Sequence, residues 1–328
     1  MLVSVIIPVY NGEKHLRECL ESVKACPSTA MECIIIDDGS IDATNEISRR
    51  FVTEDARFRL ICKENTGVSD SRNRGIVEAA GDYIFFLDAD DYIDPSGWRE
   101  IMDRAAAGGI DMIAYGYYDI FESGRVKKES FPKGCDIKYA LLATTLLNTC
   151  WGKLLRREII VSNGLGFRKE LKTCEDTVFI LDFAQKAKDF LFSDKCLVYY
   201  RIHAGGIMQN TVLESKISDL SALFDSRMDY LADNYDGASS KAMYRQFFSI
   251  ITDLLRGSAR NQRVSDLKRT YENCMTNPAI AAVMSGIRKD YLSPFYKRFE
   301  YALLCRGSYA WLGLYFKVKL RFSIERRR

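Results

Sequence analysis

The sequence predicts an α/β fold, a mixed sheet flanked by helices and followed by a helical C-terminal region. Three observations carry that prediction. From residue 3 to about 118, apolar β-branched runs alternate with amphipathic helical stretches. The runs are apolar throughout, the pattern of strands covered on both faces in a parallel or mostly parallel sheet. From about residue 213 the apolar positions recur three and four apart, which is the helical period.

The first strand is read at 3–9, "VSVIIPV", and ends at Tyr10 and Asn11. A helix near 13–25 leads to a second strand at 32–37, "ECIIID", and a helix near 42–53 leads to a third at 58–62, "FRLIC". A helix near 69–80 precedes the fourth strand, 83–88, "YIFFLD". Asp94 caps a helix near 95–107 that begins at Pro95 and precedes the fifth strand, 111–117, "DMIAYGY". Residues 119–210 form a less regular mixture containing "NTCWGKLLRREII", "LKTCEDTVFI" and "YYRIHAGGIMQN". The later helices are interrupted by "NYDG" at 234–237 and by Pro278 and Pro294. The expected organisation is one half of an α/β domain over 1–118, a second half completing it over 119–210, and a helical region over 211–328.

Composition narrows the function classes. The chain has 328 residues, 47% of them hydrophobic, enough to bury one large core or two moderate ones. Lys and Arg number 47 against 44 Asp and Glu, a balance that gives no reason to expect a nucleic-acid partner. The ten cysteines show no C-x-x-C pair and read as small buried hydrophobes of a reducing compartment. "MLVSVIIPVY" has neither the basic start nor the cleavage site of a signal peptide, and no apolar run reaches the ~18 residues of a membrane span. A cytoplasmic protein, soluble or peripherally attached at the inner face of the membrane, is the expectation.

Ligands of open α/β sheets bind beyond the carboxyl ends of the strands. The predicted strand ends collect Pro8, Tyr10 and Asn11, then Asp37 and Asp38, then Asp88, Asp90 and Asp91. The last group lies in "YIFFLDADDYID", where five apolar or aromatic residues run into a crowd of carboxylates. Two carboxylates about 4 Å apart repel by roughly 4 kcal/mol at an effective dielectric near 20, so compensation is required. D-x-D puts two carboxylates of an extended segment on one side, where both reach a hard cation, Mn2+ or Mg2+, whose other ligands are a diphosphate and water. A solvated acidic turn is the plainer alternative.

The first turn, "PVYNGEKHL", carries neither a dinucleotide fingerprint nor a P-loop. Strand-end side chains must therefore recognise the ligand, with Asp38 suited to accept from a base N–H or a ribose hydroxyl and Tyr10 to stack on a base. Arg72 and Arg74, near the start of a helix, favour anions, or else pair with neighbouring carboxylates.

"VSVIIPVYN", "IIIDDGSIDAT", "NTGVSDSRNRGI", "AAGDYIFFLDADD", "WGKLLRREI" and "CEDTVF" stand in the order seen in family 2 glycosyltransferases, and the chain resembles that family over roughly residues 3–205. The resemblance implies a GT-A fold, a nucleotide-sugar donor with UDP as the nucleotide, a divalent metal at the D-x-D segment, and inversion at the anomeric carbon. Carried over by position, Pro8, Tyr10, Asp38, Gly67 and Arg72 form the nucleotide pocket, Asp90 is the principal metal ligand, and Asp88 contacts ribose or metal. The pair Glu175 and Asp176 matches the family's E-D motif, with Asp176 the general base. Trp151 and Lys153 match a segment on the acceptor side. Arg201 and His203 are expected at the phosphate or on a lid that includes Gly205 and Gly206. "TCED" also reads as a capping box, with Thr173 as the N-cap and Asp176 three positions on.

The implied reaction moves a sugar onto a hydroxyl of a glycan or lipid-linked acceptor, in bacterial surface-polysaccharide assembly. Two rivals are a non-catalytic sugar-nucleotide-binding scaffold subunit and a nucleotidyltransferase, although the latter's basic glycine-rich first loop is absent. The C-terminal "WLGLYFKVKLRFSIERRR" is either an interfacial helix drawn to anionic lipid or a packed helix with a basic tail.

Overall fold

The computed structural model describes residues 1–27, 30–202, 213–234, 237–259, 264–288, 292, 295–308, 312 and 315. His203, Gly205, Gly206 and most of the C-terminal segment from 311 lie outside the described residues. The chain divides into two compact units, one of residues 1–141 and 145–211, the other of 142–144 and 212–328.

The first unit is built on β1 (Val3–Val9), β2 (Met31–Asp37), β3 (Phe58–Cys62), β4 (Tyr83–Phe86), β5 (Tyr92–Ile93), β6 (Met112–Phe121), β7 (Val126–Glu129), β8 (Lys153–Arg156) and β9 (Phe190–Ile202). These join in the order β3-β2-β1-β4-β8-β6-β9-β5, with β7 beside β6. Parallel pairing holds β1 to β2 and β4, and β2 to β3. β8 is antiparallel to both β4 and β6, and β6 runs parallel to β9, so the sheet is mixed. β6 passes through residues 118 and 119 without interruption, so both predicted halves share one sheet.

Order reverses at β1: the chain moves from β1 to β2 and β3, then returns to place β4 on the other side. Such a switch point opens a crevice beyond the carboxyl ends of the two strands flanking it. Here those ends are Tyr10 and the acidic run after β4. Pro8 fits this central strand because Ile6 and Phe86 form the last β1–β4 pair, so its missing N–H costs no ladder bond on that side.

Every residue of β1 and β4 is buried, as the uniformly apolar runs require. Helices α1 (Leu16–Lys24), α2 (Thr44–Glu54), α3 (Val68–Glu78) and α4 (Pro95–Ala106) separate the strands, and Asp94 caps α4 through the Ser96 amide as expected. α3 lies tight on β1, since a Cβ at Gly75 would fall 2.3 Å from Ile6 Cγ2. Phe86, Phe167 and Phe179 form a ring cluster beneath the acidic run.

The irregular middle segment supplies α5 (Ile137–Ala143), α6 (Arg157–Ser162), α7 (Glu175–Lys186) and the strands β7 to β9. The second unit contains helices α8 (Leu213–Asn234), α9 (Gly237–Ala259), α10 (Val264–Met275), α11 (Pro278–Gly286) and α12 (Phe295–Cys305), among the described residues. Among those residues no helix is long and apolar enough to cross a membrane.

Candidate active site

The loops after β1 and β2 are laced together by reciprocal hydrogen bonds. The Asn11, Gly12 and Glu13 amides donate to Ser40 Oγ, Thr44 Oγ1 and Asp42 Oδ2 at 2.9, 2.8 and 3.1 Å. In return the Ile41 amide donates to Asn11 Oδ1 and the Ala43 amide to Glu13 Oε2, at 2.9 and 3.1 Å. Asn11 takes φ 50°, a left-handed conformation that asparagine tolerates. The result presents the Tyr10 ring at 52% exposure at the crevice mouth, whereas Pro8 is buried inside β1. Of the two expected first-strand contacts, Tyr10 has the exposed side chain.

Asp38 is nearly fully buried. Its Oδ1 accepts from the Thr66 amide at 2.9 Å and from Lys63, and its Oδ2 from the Gly67 amide at 2.9 Å. These three donors fill most of the roughly four lone-pair positions of a carboxylate. Asp38 thus fixes the 63–67 segment at the start of α3, a structural task that the expected base or ribose contact did not include. Gly39 beside it holds φ +76°, and a Cβ there would lie 3.0 Å from the Asn65 amide nitrogen.

Arg72 stands at the centre of the acidic cluster. Its Nη2 donates to Asp88 Oδ1 at 3.0 Å, and its Nη1 to Asp176 Oδ1 at 2.6 Å and Glu175 Oε1 at 3.3 Å. The guanidinium also lies over the Phe167 ring, 5.2 Å from its centroid. Burial opposes the charge, yet Asp176 above all holds its pKa well above the ordinary value. The sequence offered anion binding or carboxylate pairing for this arginine, and the structure has the pairing. Arg74 pairs with Glu78 on the exposed side of α3.

Burial, reinforced by Asp176 and Asp90 and opposed by Arg72, pushes the Asp88 carboxyl up to about 6. Glu175 is pushed up to about 7, by burial first and Asp176 second. A carboxyl raised on folding contributes stability that is complete below its unfolded value and lost as pH rises through its folded one. For Glu175 that window runs from 4.5 to about 7. Glu175→Gln is therefore expected to flatten the decline in stability across this window, measured as the urea midpoint against pH.

Asp176 Oδ2 accepts from the Cys150 amide at 3.0 Å. The expected capping box is absent: the N-cap of α7 is Cys174, in a left-handed conformation at φ 64° with no side-chain cap bond, and Asp176 is the second helical residue. Its carboxylate is turned to Arg72 and Cys150 instead of to the helix's own amides.

Within the D-x-D-D run, Asp88 and Asp90 are half-buried, while Asp91 is fully buried. Asp91 Oδ1 accepts from the Arg201 amide at 2.9 Å, and burial, then Asp90 and Asp88, pushes its pKa well up. Arg201 is engaged within the protein. It donates to His15 Nδ1 at 2.9 Å and to the Asp90 carbonyl at 3.1 Å, pairs with Glu18, and covers the Tyr92 ring. Its guanidinium braces the acidic run against α1, a role that the sequence reading did not include.

Trp151 and Lys153 are likewise interior. Trp151 stacks on Tyr200 at 5.2 Å and meets Tyr117 edge-on at 4.9 Å. Lys153, 1% exposed, donates to Thr149 Oγ1 and the Trp151 carbonyl, and burial pulls its pKa down to about 8. Both side chains are held in the interior by these contacts. The sequence reading missed the Cys150 amide, Phe167 and Asn73. Asn73 makes a two-bond clasp with the Phe167 backbone at 2.8 and 2.7 Å, and its position directly after Arg72 was the one available signal.

Comparison with known proteins agrees with this architecture. The profile of glycosyl transferase family 2 matches residues 4–162. EpsH of Bacillus subtilis, named as a glycosyltransferase, is 34% identical over 242 residues, 71% of this chain and 70% of that protein. The glycosyltransferase YibD of Escherichia coli is 32% identical over 61% of each chain. The crystal structure of Staphylococcus aureus TarS 1–349 in complex with UDP-GlcNAc superposes with a TM-score of 0.73 at 19% identity, covering 98% of this chain and 92% of that one. With the D-x-D and E-D motifs brought together on a GT-A-like mixed sheet, the chain belongs to glycosyltransferase family 2.

Proposed function

We propose that this enzyme transfers a sugar with inversion from a UDP-sugar to a hydroxyl of a glycan or lipid-linked acceptor, as in bacterial surface-polysaccharide synthesis. The observation that carries this reading is the single guanidinium joining Asp88 of the D-x-D run to Asp176 of the E-D motif, which unites a donor-side carboxylate and a candidate base in one crevice. Asp176 takes the proton from the acceptor hydroxyl as its oxygen attacks the anomeric carbon. The bond to the diphosphate breaks on the opposite face, and UDP leaves with the electron pair. Tyr10 stacks on the base at the crevice mouth.

A divalent cation fits this donor set. Asp88 and Asp90 are half-buried neighbours, and Asp90 adds to the rise in the Asp88 pKa, a repulsion that a cation relieves. Among the described residues no three His, Cys, Asp or Glu side chains form a metal cage, so the diphosphate and water must complete the coordination, as suits Mg2+ or Mn2+. When bound, such an ion stabilises the charge developing on the leaving diphosphate.

Thermal unfolding with UDP, GDP, CDP and dTDP, each with and without Mn2+, tests the donor class. A nucleotide at 100 times its dissociation constant adds about 2.7 kcal/mol, or a few degrees in a chain of this size. A shift with UDP that requires Mn2+ is expected. No shift with any nucleotide, or release of pyrophosphate instead of UDP during turnover, would refute the reading.

A further inference from the structure

We propose that Arg72 is a positioning residue for the transfer reaction, a rigid strut that sets Asp176 relative to Asp88 without itself touching the donor. The inference rests on the assignment of Asp176 as base. Arg72 is 4% exposed, and its two terminal nitrogens serve carboxylates 16 and 104 residues away in sequence. Its Nε has no partner among the described residues, so those two nitrogens set the plane of the fork.

The strut is itself held. Phe167 lies under the guanidinium, and the neighbouring Asn73 clasps the Phe167 backbone through both atoms of its amide. α3 therefore fixes the loop leading toward α7 and, one residue earlier, the base at the start of α7. The remaining charged neighbour of the fork is Glu175, and the other Asp176 oxygen is fixed by the Cys150 amide. Asp176 has no helix cap to orient it, which leaves Arg72 and Cys150 as its hydrogen-bonded supports. A lysine in place of Arg72 would keep the charge but lose the planar two-nitrogen fork.

Displacing a catalytic group by about 1 Å can cost ~100-fold in rate. Arg72→Lys is therefore expected to lower kcat by about 100-fold while the donor KM and the UDP dissociation constant change less than about threefold. In an Asp176→Asn background the same substitution should cost less than about threefold, because the residue through which it acts is already disabled. A tenfold or greater loss of UDP affinity would overturn the proposal and make Arg72 a donor ligand. Multiplying effects in the double variant would also overturn it. If Arg72→Lys does not fold, Arg72→Gln/Glu175→Gln, which removes the guanidinium together with its most distant carboxyl partner, carries the same expectations. If Asp176→Asn is slow while Arg72→Lys is not, the strut alone fails. If Asp176→Asn turns over at the wild-type rate, the base assignment fails with it.

Discussion

Asp176→Asn is expected to reduce turnover by about 10²- to 10⁴-fold, the usual contribution of a positioned general base. The substitution is nearly isosteric, and an amide cannot take the acceptor's proton. Its carbonyl oxygen can keep one of the two present donors, Arg72 or the Cys150 amide, while its NH2 faces the other. A modest loss of stability should accompany the loss of rate. Donor binding should survive, because the D-x-D run and the Tyr10 loop are untouched. Turnover at saturating donor, read alongside UDP affinity, separates the two effects, and a variant as fast as the wild type would remove Asp176 as base.

Asp90→Ala is expected to lose at least about 10²-fold in turnover, in line with removing one preorganised group that stabilises leaving-group charge. It should also abolish the Mn2+-dependent part of the thermal shift given by UDP. Asp90 is the suitable target because its neighbours are committed elsewhere: Asp91 is buried against the Arg201 amide, and Asp88 is tied to Arg72. Substitution of either neighbour would disturb the scaffold together with the cation. An undiminished shift in Asp90→Ala would place the metal on other ligands.

The strands near the switch point were legible because burial on both faces leaves a continuous apolar run, as in "SVIIPV" and "YIFF". The helices between them were legible from period and caps, with Asp94 and Pro95 the clearest case. β9 escaped notice since "SDK" at 193–195 resembles a turn, whereas the structure absorbs it within a long strand whose register with β6 shifts between Ala114 and Tyr117. β8 is short, and its apolar residues continue directly into α6, so no period separates them. In the site, motif order picked out Asp88, Asp90, Glu175 and Asp176, and the structure gathers Asp88, Glu175 and Asp176 on Arg72. Motif order could not reveal which carboxylates Arg72 and Arg201 engage, because ion-pair partners many residues away leave no local pattern.

The lacing between the first two loops constrains how this site can change over time. Each of its five bonds joins a backbone amide on one side to a side chain on the other, so that residues 11–13 are tied to residues 40–44 in both directions. Surface loops ordinarily tolerate insertions and deletions. Here, adding or removing a single residue in either loop would pull several of these donors off their partners. Diversification at this edge must therefore proceed by replacing exposed side chains such as Tyr10 and Ile41, with loop length held constant.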